Sequence, residues 1–316
     1  MSGTVVPNPL FFLRSNNPPP ALEPRDWRVR VDGRVRRPLT IDLATLRALP
    51  GQTQEVWLEC AGNSRRRFVP PGEGNQWDEQ AVSNAVFTGV PLRTLLDQAG
   101  VEHDAIEVVT TGYDADSFQR GLPLDVALSP EVVLAFEMNG EPIPWPNGGP
   151  VRLVVPRWAG IASVKWPARI EVVNTPFQGH FNAERYIMVD ANGRTLRTVR
   201  EMPVKSVIAW PGEGETVRSG SSHTVVGFAW SGFGQIERVE VSTDAQRTWQ
   251  PARLVRGSGP LAWTRWELTW SPASPGLATL SVRATDSAGT VQPTEVPWNK
   301  FGYQMNAIIT RQVRVV

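Results

Sequence analysis

The 316-residue chain has one cysteine, Cys60, and only three histidines, His103, His180 and His223. A single cysteine excludes an intrachain disulfide and gives no argument for an oxidising compartment. The three histidines lie far apart in sequence and lack paired spacing, which argues against a histidine-based metal site. No apolar run approaches the roughly 20 residues that a membrane span requires. Formal net charge is +1, so the chain is not generally basic in the way nucleic-acid binding favours, although local basic pockets remain possible. The GxGxxG, P-loop, GxSxG and CxxCH patterns are all missing, and with them the signatures of the corresponding nucleotide, serine-nucleophile and haem sites. The opening stretch MSGTVVPNPLFFLRSNNPPP has neither the basic-then-apolar order of a signal peptide nor a twin arginine. The expected location is therefore cytoplasmic as written, or periplasmic if a signal peptide was removed.

What the chain does contain is enough apolar residue, 41% against 20% charged, to bury a proper core. Its length suggests two domains, at roughly 100–200 residues each. Thirteen Trp, 28 Pro and 27 Gly point to a loop-rich, strand-heavy protein. In the first half, DWRVRVDGRV alternates around Asp32-Gly33 and predicts a hairpin there. VPLRTLLDQAG places Leu92, Leu95, Leu96 and Ala99 on one helical face and stops at Gly100, a C-cap signal. AIEVVTTG and PVRLVVP read as buried strands, and VVLAFEMNGEPI as a strand turning at Asn139-Gly140. Such an order is neither a strand–helix repeat nor all-β, so an α+β domain is expected over residues 1–195. Past about Arg200 the chain becomes short strands divided by Gly, Ser, Pro and Asp turns. An immunoglobulin-like β-sandwich is expected over 196–316, with the boundary inside DANGRTLRTVREMPV.

The chemistry concentrates in VWLECAGNSRRRF, where Cys60 is followed by Arg65, Arg66 and Arg67. A free cysteine is commonly a small buried hydrophobe, and a charge run is commonly a solvated face. The alternative is a thiolate kept deprotonated by nearby cations, beside guanidinium groups suited to bidentate capture of an oxyanion. Composition and spacing leave both readings open.

CAGNSRR, AFEMNGEPIP, NGGPVRLVVP, SVKW and WNKFG, in this order over nearly the whole chain, resemble the sulfite oxidase family of molybdenum enzymes. GFAWSGFGQIERVEVSTDAQRTW, ATDSAGTVQP and PWN resemble that family's molybdenum-cofactor oxidoreductase dimerisation domain. The resemblance implies a molybdenum–molybdopterin (pyranopterin dithiolene) cofactor with Cys60 as the metal's protein ligand, in keeping with a soft thiolate. It implies cofactor contacts from Phe12, Arg14, Asn16, Asp114, Asn147, Arg152, Ser163, Val164 and Lys165. Arg14 and Arg65 would hold an oxyanion, Trp77 would wall its pocket, and Tyr186 matches the active-site tyrosine. The implied activity is oxygen-atom transfer to sulfite or a related oxyanion. Electrons would pass to an external acceptor such as a cytochrome, and the sandwich would support a homodimer.

The chain departs from the pattern at several positions. Phe301 stands where animal-type sulfite oxidases have an arginine, with Lys300 one place earlier as a substitute cation. Asn16, Asn147 and Ser163 replace histidines, although an asparagine still donates a hydrogen bond. Loss of a pocket arginine makes sulfite itself less secure than the cofactor. It leaves open a reductive oxotransferase acting on nitrate or an S- or N-oxide, and a non-catalytic binding protein that keeps the fold.

Overall fold

The computed structural model describes residues 3–316. The first part of the chain builds two sheets around one core. One sheet has the strand order Leu39–Asp42, Arg28–Gly33, Pro167–Val173, Glu107–Gly112, Gln119–Pro123. Arg28–Gly33 pairs in parallel with Pro167–Val173, and the other ladders are antiparallel. The second sheet is antiparallel and runs Gln52–Glu59, Val82–Pro91, Val133–Met138, Glu141–Pro142, with Arg152–Val154 also paired to Val133–Met138. Trp27, Val31, Leu46, Leu134, Leu153 and Ile170 from these elements meet in a common core. Helix Leu92–Ala99 closes it with Leu92, Leu95, Leu96 and Ala99 fully buried. Its end is set by Gly100 at φ 71, whose N–H bonds back to Leu96 and Asp97. Asn139 and Gly140 take φ 56 and 78 between paired Met138 and Glu141, the two-residue turn their sequence signals.

The expected hairpin at Asp32-Gly33 does not form. The strand continues through Gly33, which pairs with Val172, and the antiparallel return begins only at Leu39. Two contacts hold this arrangement. Asp32 is gripped by Arg30 at 2.6 Å and Arg169 at 2.9 Å. Gly33, at φ +84, lies so close to the Val172 carbonyl that a Cβ would come within 2.2 Å of it. Long-range pairing therefore outweighs the local turn signal.

The later part of the chain is a β-sandwich, as the strand spacing predicts. One sheet orders Lys205–Trp210, His223–Trp230, Thr264–Trp270, Arg253–Arg256, and the other Thr216–Val217, Ile309–Val315, Gly276–Asp286, Ile236–Ser242, Gln250–Pro251. Val225, Trp266, Val241, Leu280 and Val313 fill the space between them. A further apolar cluster joins the sandwich to the first unit, with Trp57, Tyr186 and Met202 packed among Phe228, Trp230, Trp263 and Tyr303. The segment around 298–306 returns to the first unit, where Gln304 N–H bonds to Ala61 at 2.8 Å. Among the described residues, no helix is long and apolar enough to cross a membrane.

Leu95→Ala should lower unfolding stability by about 3 kcal/mol, the usual cost of emptying a fully buried leucine site. Chemical denaturation would show the midpoint falling with an unchanged slope, and a midpoint equal to wild type would contradict this core assignment.

Candidate active site

Loops at the ends of these strands enclose a pocket lined by Phe12, Arg14, Asn16, Cys60, Asp114, Arg152, Ser163, Val164, Lys165 and Tyr186, with Ser15, Phe118, Ile161 and Trp166 among them. Cys60 enters it from the end of strand Gln52–Glu59. Its backbone is fixed on both sides: Cys60 N–H donates to Ala81 at 2.9 Å, and Asn63 N–H donates to the Cys60 carbonyl at 2.9 Å. Cys60 is partly exposed. Burial pushes its thiol above the ordinary value, against the opposing pull of the Gly62 N–H and of Arg65 and Arg14. Of the two readings the sequence leaves open for the metal-free thiol, burial favours the protonated one, because desolvation of the charged form is the larger effect here.

The three arginines after Cys60 separate. Arg66 pairs with Asp78 at 3.1 Å on the exposed side. Arg67 pairs with Glu79, which also holds Arg311 at 2.6 Å. Only Arg65 is buried, its Nε donating to Phe301 O at 2.6 Å and Nη1 to Asn75 O at 2.7 Å. Its guanidinium carbon lies 5.2 Å from the Tyr303 ring centre. The side chain passes between Gly74 (φ +112) and Gly302 (φ +56), where any Cβ would lie 2.7 and 2.5 Å from Arg65 atoms. These glycines leave the space through which the arginine runs inward.

Arg14 Nη2 donates to Asn16 Oδ1 at 3.0 Å, and the Asn16 amide is hydrogen-bonded to the Tyr186 hydroxyl at 3.3 Å. Tyr186 stacks on Tyr303, with centroids 5.1 Å apart and planes 10° apart. Burial, followed by Cys60 and Tyr303, pushes the Tyr186 phenol up to about 12. It therefore keeps its proton at neutral pH and serves as a donor.

The opposite wall carries positive charge. Arg152 is buried, and its Nε and Nη1 reach only the carbonyls of Ser163 (3.3 Å) and Asn147 (3.0 Å). Burial pulls it down to about 10. Lys165 Nζ donates to Ser15 Oγ at 2.8 Å and Pro146 O at 2.6 Å. Burial, then Arg152 and Arg14, bring it down to about 7. Asn147 lies behind Arg152, and its Nδ2 is buried without a partner. Ser163 Oγ accepts from Val155 N–H at 3.0 Å. Asp114 is occupied by Asn17 Nδ2 at 2.7 Å and Phe118 N–H at 3.2 Å. Among the described residues, no carboxylate forms an ion pair with Arg14, Arg65, Arg152 or Lys165.

Four expected residues fall outside this pocket lining: Arg65 and Asn147, described above, and Lys300 and Trp77. Lys300 turns outward, half-exposed, with Nζ 3.7 Å from Glu73 Oε1 and over the Phe301 ring. Glu73 and the aromatic face hold it there. Trp77 packs with its Nε1 buried and unpartnered, and it is not among the lining residues. Conversely, Ser15, Asn17 and Tyr303 escaped the sequence reading. Tyr303 had one available signal, since the chain contains only three tyrosines and this one lies two residues after Phe301.

The donor set fits a large anion at one end and a soft metal at the other. Buried cations and an orphaned amide present hydrogen-bond donors with no acceptor charge of their own, while the only sulfur of the set faces the same space. Among the described residues, no cluster of three His, Cys, Asp or Glu side chains is present. A metal at Cys60 would therefore take its other ligands from a cofactor.

Comparison with known proteins gives a family. Residues 16–181 match the oxidoreductase molybdopterin binding domain, and residues 196–315 match the Mo-co oxidoreductase dimerisation domain. Sulfite oxidase of Gallus gallus is 38% identical over 94% of this chain and 70% of its own length. An inducible nitrate reductase of Glycine max is 31% identical over 96% of this chain and 38% of its own. The crystal structure of the sulfane dehydrogenase SoxCD from Paracoccus pantotrophus superposes with a TM-score of 0.89 at 31% identity, covering 99% of this chain and 82% of that one.

In metal-free protein, alkylation of Cys60 should be slow at neutral pH and should accelerate with rising pH, its midpoint above the ordinary thiol value of about 8.5. A pH–rate profile with a midpoint below that value would contradict the dominance of burial at this sulfur.

Proposed function

The chain belongs to the molybdopterin-binding oxidoreductase family that includes the sulfite oxidases, and on that premise we propose that it oxidises sulfite or a related sulfur oxyanion by oxygen-atom transfer. The reading rests on one observation: the partly exposed Cys60 sulfur faces a cavity whose cations have no carboxylate partners. A molybdenum–pyranopterin group, when bound, supplies two-electron oxygen-atom transfer at the metal.

The protein's own contribution follows from its side chains. Cys60 holds the metal through sulfur. Arg152, Lys165 and Asn147 hold the cofactor's anionic portion, and their desolvation strengthens each charge-assisted bond. Arg14 draws the substrate anion toward the metal side. Arg65 adds positive potential from behind Tyr303, since its Nε and Nη1 are already engaged by carbonyls. Tyr186 donates a hydrogen bond in the same region and is held in place by Asn16 and by its stack on Tyr303. Electrons leave to an external acceptor, for which a cytochrome is the proposed class, and the sandwich is proposed to carry a homodimer.

A second reading, reduction of nitrate or an S- or N-oxide, is favoured by Phe301. This buried aromatic stands where the resemblance places an arginine, and it leaves a less cationic site suited to a monoanion. Protein made in a molybdenum-competent host should turn over sulfite with an artificial acceptor faster than it reduces nitrate or sulfoxides. The reverse ranking would establish the second reading. Cys60→Ser should lower turnover by more than about a hundredfold, beyond the cost of losing an outer-shell partner, and unchanged turnover would refute the ligand assignment.

Lys165 also gives a pH dependence. An anion raises its pKa from about 7, so binding takes up a proton once solution pH exceeds that value. Affinity for a phosphate-bearing pterin should be flat below pH 7 and fall by up to tenfold per pH unit above it. Calorimetric titration between pH 6 and 9 would show this slope in wild type and its disappearance in Lys165→Gln. A flat wild-type profile would contradict a charged role for Lys165.

A further inference from the structure

Glu59, the residue directly before Cys60, is completely buried and both of its carboxylate oxygens are engaged. Oε1 accepts from Asn63 Nδ2 at 2.8 Å and from Lys205 Nζ at 3.1 Å, and Oε2 accepts from Trp230 Nε1 at 2.8 Å. Lys205 and Trp230 stand directly opposite each other on neighbouring strands of the sandwich. One cross-strand pair of the second unit therefore grips the residue that precedes the pocket's only sulfur.

The grip extends to Cys60 itself. Asn63 Oδ1 accepts the Ala81 N–H at 3.0 Å. The Ala81 carbonyl accepts the Cys60 N–H, and the Cys60 carbonyl accepts the Asn63 N–H. Lys205 Nζ also reaches the Asn63 carbonyl at 3.3 Å. Both backbone polar groups of Cys60 thus belong to a ring of bonds anchored on Glu59 and Lys205. A buried ion pair is poor evidence for stability, because desolvating both charges offsets much of their attraction. What this pair does fix is geometry: one direction for Glu59, and hence one exit for the chain at Cys60.

We propose that Glu59, Lys205 and Trp230 form a positioning clamp that aims the Cys60 sulfur into the pocket, so that the β-sandwich is part of the active-site scaffold as well as a domain for association. This rests on Cys60 being the metal ligand for its consequence, but not for its mechanical test.

Cys60 is the only thiol, so a maleimide reports on it alone. In the full-length metal-free protein, Lys205→Met should remain folded by circular dichroism and alkylate about tenfold faster than wild type, as local opening frees the loop. Glu59→Gln, which keeps a carbonyl acceptor for its neighbours, should fall between the two. If Lys205→Met does not fold, the double variant E59Q/K205M replaces the ion pair without leaving a lone buried charge and takes its place in the comparison. In molybdenum-loaded protein the same variants should shift the sulfur-to-metal charge-transfer band, which a purely stabilising role would leave in place. Folded variants with wild-type alkylation rates and an unshifted band would overturn the clamp. A wild-type protein lacking the band altogether would sink the ligand assignment instead, and the alkylation rates would still decide the clamp.

Discussion

Positive charge buried without a carboxylate partner is the constraint on which this structure turns. Arg152 is buried and Lys165 half-buried, and their bonds go to carbonyls and one hydroxyl. Leaving a buried charge uncompensated costs several kcal/mol, and the fold tolerates it because the backbone at both positions is locked by pairing. Arg152 opens a strand held against Val133–Met138. Lys165 is bridged back to Arg152 and its backbone rests against Gly148, at φ +110, where a Cβ would come within 2.9 Å of the lysine side chain. The charges are thus held ready for an oxygen-rich anion, and the family to which the chain belongs supplies one.

The metal side is organised differently. There the sulfur is held by backbone bonds and the cations lie at graded depth. Arg14 lines the pocket, Arg65 sits behind an aromatic layer, and Lys300 has turned away to Glu73. Phe301 and Tyr303 make this wall aromatic, and burial keeps the Tyr186 hydroxyl protonated at neutral pH. The geometry favours holding one small anion beside a soft metal. Because the segment carrying Phe301 and Tyr303 connects the sandwich strands Gly276–Asp286 and Ile309–Val315 yet packs on the first unit, neither unit completes this wall alone.

Much of the framework was legible from local pattern. The helix at Leu92–Ala99 announced itself by spacing and by Gly100, and the turn at Asn139-Gly140 by its need for two left-handed residues. The pocket's composition was legible only through motif resemblance, which names residues as distant as Phe12, Cys60, Arg152 and Tyr186, and these four line one cavity. Features set by long-range contact were not legible. Asp32-Gly33 looked like a hairpin because its parallel partner lies about 140 residues away. The protonation of Cys60 followed from burial, which charge spacing does not encode. Ser15 and Asn17 carry no pattern of their own and acquire a role only where the chain returns to them.

The proposed bond from the Cys60 sulfur to molybdenum, in a pocket of unpaired donors, can be counted. X-ray absorption at the molybdenum edge, on loaded wild-type protein and on loaded Cys60→Ser, tests it most directly by counting sulfur neighbours of the metal. One sulfur fewer is expected in the variant, with the remaining sulfur shell retained. An identical sulfur count in the two proteins would contradict it.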